Sequence, residues 1–237
     1  MARPRASSSR NGSASEAPRR SPRAPDARAR LVAAAAAVLR ESGYRAASIE
    51  EVLARSGVAK SNLYYHFPSK LELSCAAVDH WLDEPEVPVL VGALADERRS
   101  GLERVRRWVE LFAELSAKDG GPCGCKFGML AAEEDLPEPL RVRVEGAMRS
   151  IRHSMVAALE AGIRDGSVRP DLDCERVALS ILAAAQGGGL VGRLARNSER
   201  IVEACEGILA LAANRGERVA TGARPKRSRA SAPAARS

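Results

Sequence analysis

Residues 48–67 constrain the fold of this chain more than any other stretch. They begin with Ser48-Ile-Glu-Glu51, in which the serine side chain can accept from the amide of Glu51 and the Glu51 carboxylate can reach back, a spacing typical of a helix start. Ser56-Gly57-Val58 then predicts a tight turn, and Ala59–His66 a second short helix that Pro68 ends. Two short helices joined by a glycine-bearing turn have the layout of a helix-turn-helix, which places its second helix in the major groove of DNA.

The segments on either side of this stretch also have helical periodicity. Apolar residues recur on one face from Asp26 to about Ser42, and Gly43 ends that pattern. Ser69 is a predicted N-cap for a helix that reaches roughly Asp83. Beyond a link with two prolines, further helices are predicted at about 102–119, 140–162, 173–196 and 198–213. Because no alternating pattern of convincing length occurs, the predicted fold class is all-α.

Composition places the chain among soluble globular proteins. Of its 237 residues 45% are hydrophobic, 28% are charged and only 3% are aromatic, so the core must be built mainly from aliphatic side chains. The longest apolar run, Leu31–Leu39, is too short to span a bilayer, and no apolar segment of a secretory signal follows the first arginines. Five cysteines, an odd number, do not indicate a disulfide framework. We therefore expect a cytoplasmic protein without membrane contact.

Positive charge is concentrated at the two ends. Residues 1–30 carry eight arginines against two acidic residues, and residues 214–237 carry seven basic residues against one, whereas residues 71–213 sum to −7. The arms 1–25 and 214–237 contain too little apolar surface to fold and are predicted to be disordered. They either add non-specific attraction to phosphate or reflect the Ala/Arg-rich composition alone.

The residues from Gly57 to Lys70, Gly-Val-Ala-Lys-Ser-Asn-Leu-Tyr-Tyr-His-Phe-Pro-Ser-Lys, resemble the TetR/AcrR family of bacterial transcription regulators. The family pattern has a helix that ends in Gly, a Ser/Thr-capped helix, Gly-Val-Ser/Thr and then Leu-Tyr-x-x-Phe-x-x-Lys. The residues that match this pattern are Gly43, Ser48, Gly57, Val58, Leu63, Tyr64, Phe67 and Lys70. The resemblance covers residues 25–85 and implies a DNA-binding domain at 26–85, with its helix-turn-helix motif at 48–67. Ala59 departs from the pattern, so the predicted third helix lacks a side-chain cap.

The resemblance also implies roles for individual residues. Ser48, Tyr64 and Lys70 would contact phosphates of a double-stranded operator, which fixes register without reading sequence. The residues that would face the bases are Lys60, Ser61, Asn62 and Tyr65. Lys can donate to guanine and Asn can pair with adenine. His66 would either contact phosphate or pack against the first helix, and Leu63 and Phe67 are expected in the core.

For residues 86–213 the resemblance implies an effector-binding and dimerisation domain, in which the last two helices of each chain form a four-helix bundle. The predicted dimer-interface residues are Gln186, Gly188, Val191, Ile201, Cys205 and Ile208. The run Gln186-Gly-Gly-Gly189 either permits close helix contact or breaks its helix in two.

A glycine- and cysteine-rich segment at 120–134 is similar to one that opens a helix beside the pocket in multidrug-efflux-type regulators. On that likeness the predicted pocket residues for a small apolar or amphipathic effector are Trp108, Phe112, Cys125, Phe127 and Met129. The alternative is an ordinary core helix start. Cys123 and Cys125 raise a second alternative, a thiol-redox or metal-responsive regulator, although a structural zinc site needs four ligands and no second cysteine pair is present.

Signatures of common enzymes are lacking: the sequence contains no P-loop, no dinucleotide-binding glycine fingerprint, no His-Glu-x-x-His and no Gly-x-Ser-x-Gly. We therefore expect no enzyme, no cofactor and no bound metal. The function expected from the resemblance is a homodimeric repressor that leaves its operator when the effector binds. The alternative is an architectural nucleic-acid-binding protein that uses the basic arms, which the −7 body disfavours because it would repel DNA.

Overall fold

A computed structural model of the protein describes residues 26–117 and 124–214. In these two ranges the chain is helical, with a single isolated bridge between Val168 and Ala213, which confirms the predicted all-α class. The helices are α1 Ala27–Ala46, α2 Ile49–Ser56, α3 Lys60–His66, α4 Lys70–Asp83, α5 Glu86–Ala95, α6 Gly101–Ala117, α7 Lys126–Ala131, α8 Glu138–Asp165, α9 Cys174–Ala195 and α10 Glu199–Ala212. The basic arm 1–25, the basic tail beyond Asn214 and Cys123 lie outside the described residues.

Side-chain caps fix several of the helix starts. Ser48, Ser69 and Asp173 each accept a hydrogen bond, at 3.1 Å, from the amide three residues further on. The reciprocal half of the predicted capping box is absent, because the Glu51 carboxylate binds Arg55 at 2.6 Å instead of reaching back to Ser48. Glu51 and Arg55 are four residues apart, so they are neighbours on the helix surface.

Two apolar cores hold the helices together. The N-terminal core joins α1 to α4, with Leu31, Leu63 and Trp81 fully buried, and extends into α7 and α8 through Phe127 and Leu140, among others. The C-terminal core is formed by α5, α6, α8, α9 and α10. The N-terminal helices are therefore packed on α7 and α8 rather than joined by a free linker.

Helix α5 occupies the stretch that the sequence indicated as a proline-containing link. Its third residue is Pro88, in the first turn, where a backbone N–H has no partner within the helix. Pro88 is therefore tolerated there, and α5 supplies buried residues such as Leu90 and Leu94 to the C-terminal core.

The glycine run in α9 produces close contact without breaking the helix. A Cβ at Gly188 would lie 2.7 Å from Ile201 Cα, so α9 and α10 of the same chain approach one another there. Gly188, Ile201 and Cys205, three of the predicted dimer-interface residues, are buried against helices of their own chain. Within the described residues, α9 is also long and apolar enough to cross a bilayer, a property that core helices of soluble proteins share.

Candidate DNA-contacting surface and effector cavity

Helix α3 turns a polar, tyrosine-bearing face to solvent. Leu63 and Phe67, with 0% and 4% of their surface exposed, anchor the seven-residue helix in the N-terminal core. The exposed face consists of Lys60, Ser61, Asn62, Tyr64 and Tyr65. The Tyr65 side chain is 82% exposed, although large aromatic side chains are usually at least partly buried. This face supplies hydrogen-bond donors and acceptors, and apolar rings, to a partner.

The angle of α3 is set by the turn that precedes it. Gly57 has φ +63°, a left-handed conformation that ends α2 at minimal steric cost. The Ser56 hydroxyl accepts from the amide of Val58 at 3.3 Å, and Arg30 of α1 donates to the Ser56 carbonyl at 3.3 Å. Ala59 supplies no side-chain cap, as the sequence indicated. The turn is therefore fixed by contacts to α1 and α2.

The other predicted phosphate contacts lie at the edges of this face. The half-buried Ser48 hydroxyl accepts the cap hydrogen bond of α2 and retains its own proton for donation. The Lys70 ammonium lies 3.4 Å from the Arg45 carbonyl oxygen and 4.6 Å from the centre of the Tyr44 ring. His66 is half-buried, with its ring edge-on to that of Tyr65 at 5.0 Å between centres. All three remain at least partly accessible.

A cavity of about 220 Å³ lies between the two cores. All five predicted pocket residues line it: Trp108, Phe112, Cys125, Phe127 and Met129. The sequence did not point to its other walls, which come from α5, α6, α8, α9 and one residue of α1: Val87, Leu90, Val91, Leu115, Ile151, Leu182, Gln186 and Arg40, among others. Apolar side chains dominate this lining, as in pockets for small organic molecules.

A few polar groups surround the cavity. The Trp108 ring stacks on Phe112 at 5.3 Å, and its indole Nε1 is buried without a hydrogen-bond partner among the described residues. The Glu84 carboxylate binds two cations that line the cavity, Arg40 of α1 at 2.5 Å and Lys126 of α7. These ion pairs connect the wall of the cavity to α1 of the N-terminal core.

Burial disfavours the thiolate form of the cysteines that the structure describes. The four cysteines there are free thiols: Cys75, Cys125, Cys174 and Cys205. Burial raises the pKa of each of them, even at Cys125, where the amides of Phe127 and Gly128 and the Gln186 side chain favour the thiolate. Residues 26–117 and 124–214 hold no group of three or more metal-ligating side chains. The geometry thus gives the redox and metal alternatives no support beyond the presence of Cys125.

An exposed polar recognition helix together with a separate apolar cavity is the architecture of a ligand-responsive DNA-binding regulator. Comparison with known families agrees. Residues 31–77 match the family model described as bacterial regulatory proteins, tetR family, and residues 101–208 match the model described as tetracyclin repressor-like, C-terminal domain. The chain belongs to the TetR family of transcriptional regulators.

Individual proteins similar to this chain are also transcriptional regulators. The transcriptional regulator AcuR of Cereibacter sphaeroides is 25% identical over 178 residues, which are 75% of this chain and 81% of AcuR. The repressor KstR2 of Mycobacterium tuberculosis is 27% identical over 150 residues, 63% of this chain and 73% of KstR2. The crystal structure of reduced Escherichia coli NemR has the same fold, with a TM-score of 0.70 over 80% of this chain and 98% of NemR, at 21% identity.

Proposed function

We propose that this regulator is a cytoplasmic repressor that binds a near-palindromic operator as a homodimer and is released by a small apolar or amphipathic effector. Repression is supported by the likeness to KstR2, whose name states that role. The observation that carries the proposal is the pairing of an exposed, polar α3 with an apolar cavity in the same chain.

Sequence readout is assigned to α3. Lys60, Ser61, Asn62 and Tyr65 stand on its solvent face, where an amide and an ammonium can address base edges in the major groove. Tyr64, Ser48, Lys70 and His66 flank them and would bind phosphates. Two copies of this face, held about 34–36 Å apart, would read half-sites one helical turn apart.

The partner proposed for α9 and α10 is a second copy of the chain. Five of the large apolar side chains that the structure exposes are on these two helices: Leu179, Leu190, Val191, Leu194 and Leu211. Several exposed apolar side chains on neighbouring helices of a soluble protein indicate an interaction surface. Val191 is thus the predicted interface residue that fits this face, Ile208 is half-buried beside it, and Gln186 instead lines the cavity.

Base readout is tested with an operator selected from genomic DNA. Asn62→Ala is expected to change which operator sequences are preferred, because it removes a side chain that pairs with adenine. Lys70→Ala is expected to weaken binding to all DNA sequences alike. It should also lower the magnitude of the slope of log affinity against log salt concentration by about 0.9. Arg98→Ala, which removes an exposed charge between α5 and α6, serves as the matched control. Unchanged operator preference and salt slope in both variants would contradict the assignment.

Self-association is tested by light scattering at micromolar concentration. Leu194→Asp places a charge on a side chain that is 82% exposed in one chain and is expected to give monomers. Val142→Asp, at an exposed position of α8, is the control and should remain dimeric. If Leu194→Asp still dimerises as strongly as the unmodified protein, α9 is not part of the interface.

A further inference from the structure

Residues 125–133, which we name the α7 segment, touch both the cavity and the N-terminal core. Cys125, Lys126, Phe127 and Met129 of this segment line the cavity. Phe127 also belongs to the N-terminal core, where its ring meets that of Trp81 edge-on at 5.6 Å. Any molecule that occupies the cavity therefore contacts an element that is packed on the DNA-binding helices.

The beginning of the α7 segment fits closely against α9. A Cβ at Gly128 would lie 2.2 Å from the Gln186 side-chain oxygen and 3.5 Å from the Cys125 Cβ. Gln186 itself lines the cavity. An occupant that moves Gln186 or Phe127 must therefore shift the first turn of α7.

The far end of the segment holds the C-terminal end of α1. The Glu133 carboxylate accepts two backbone hydrogen bonds, from the amides of Tyr44 at 2.6 Å and Arg45 at 2.9 Å. The Glu133 amide donates to the Leu130 carbonyl at 3.0 Å, so this carboxylate moves with the last turn of α7. Hydrogen bonds to an ionised acceptor are stronger than neutral ones.

Gly43 makes this contact possible. Its φ of +75° interrupts the helical ladder of α1, and the amides that follow it turn toward Glu133. A Cβ at Gly43 would lie 2.2 Å from Glu133 Oε1. The carboxylate thus occupies space that only glycine leaves open.

The clamped residues lead directly into the helix-turn-helix. Arg45 is three residues before Ser48, the cap of α2, and its carbonyl accepts from Lys70 at the start of α4. The direction in which the chain enters α2 is therefore set between Glu133 on one side and Lys70 on the other. A shift of Glu133 would change where α2 and α3 stand.

We propose that Glu133 is a positioning residue that reports occupancy of the cavity to the DNA-binding helices through the α7 segment. This inference rests on the proposed function, because it assumes that operator binding responds to the cavity. Glu133 does not line the cavity and lies outside the helix-turn-helix. Its role is to keep the end of α1 in the orientation that binds the operator, and to release it when α7 moves.

A cavity-filling substitution replaces the unidentified effector in the test. Leu115→Trp adds an indole to the cavity from α6, and Val91→Trp does so from α5 should the first variant fold poorly. Leu111→Trp, on α6 but outside the lining of this cavity, is the matched control. Each is made with Glu133 and with Glu133→Gln, which keeps the size of the side chain but removes its charge and one of its two acceptors.

Operator affinity is the first readout. Leu115→Trp is expected to weaken operator binding about tenfold when Glu133 is present, a typical allosteric coupling, and by less than about twofold in the Glu133→Gln background. An equal loss in both backgrounds, or no loss in either, would overturn the proposal. A purely structural role for Glu133 would instead make the two effects add.

Amide hydrogen exchange of Tyr44 and Arg45 is the second readout and needs no DNA. Leu115→Trp and Glu133→Gln are each expected to accelerate exchange at these two amides about tenfold or more, while Leu111→Trp leaves it unchanged. Unchanged exchange in Leu115→Trp would overturn the inference even if the protein binds its operator. Accelerated exchange in a protein that binds no operator would instead contradict the proposed function alone.

Discussion

The exposed face of α3 and the exposed face of α9 and α10 differ in composition although both are anchored by buried aliphatic residues. Helix α3 presents lysine, serine, asparagine and tyrosine, whereas α9 and α10 present leucine and valine. A polar and cationic face suits a hydrated polyanion, and a leucine face suits a second protein surface that excludes water. The comparison indicates that the partner proposed for each face depends on the side chains left outside the core, while the buried ones determine the fold.

Loss of the α3 anchor would affect the polar face alone. Leu63→Ala is expected to destabilise the protein by about 2–5 kcal/mol, because it removes a fully buried side chain from the N-terminal core. Urea denaturation measures this loss of stability. Operator binding should be lost, while light scattering should show that the dimer persists. Val142→Ala, at an exposed position, should stay within about 0.5 kcal/mol. A dissociated dimer in Leu63→Ala would show that the two faces depend on one another.

Cys205, on the buried side of α10, is expected to make the stability of the protein depend on pH. Burial raises the pKa of Cys205 from 9.0 to about 11, so the unfolded chain loses this proton at a lower pH than the folded one. The buried Cys205 thiol therefore contributes fully to the free energy of unfolding below pH 9. This contribution of about 3 kcal/mol is lost as the pH rises toward 11. Unfolding free energies measured from pH 8 to 11 should fall more steeply than those of Cys205→Ala. Parallel curves would contradict this.

The α9–α10 contact is tested by adding one methyl group. Gly188→Ala is expected to cost about 1–3 kcal/mol, because its Cβ would lie 2.7 Å from Ile201 Cα. Gly146→Ala in α8, where nothing lies within 4 Å, should instead stabilise the protein by up to about 1 kcal/mol. Thermal unfolding distinguishes the two. A stable Gly188→Ala variant would mean that the helices are not in close contact there.

The smallest effects are expected at the helix caps around the polar face. Ser48→Ala should cost about 1 kcal/mol, because its hydroxyl caps α2, and Ala59→Ser should stabilise α3 by a similar or smaller amount. Urea denaturation measures both. A loss of stability in Ala59→Ser would show that the start of α3 has no free amide to cap.

Local signals allowed much of the N-terminal half to be predicted. Gly43, Ser48, Gly57 and Ser69 act through bonds within a few residues, so the bounds of α2 and α4 follow from them. The same reasoning missed α5, because a proline in a first turn looks like a proline in a link.

Long-range packing set the limit in the other half. Periodicity identified the apolar residues of α9 and α10, but it does not say whether a second copy or the same chain covers them. The packing of Gly188 against Ile201 within one chain therefore could not be predicted. Glu133 gave no local signal, since its partners are the amides of Tyr44 and Arg45, nearly ninety residues earlier in the chain.

The central claim, that two α3 helices read the major groove, is tested most directly by methylation interference on the selected operator. Guanine N7 lies in the major groove and adenine N3 in the minor groove. We predict interference from guanine N7 methylation in two stretches about 10–10.5 base pairs apart, centre to centre. Interference from adenine N3 alone, or in a single stretch, would contradict the account.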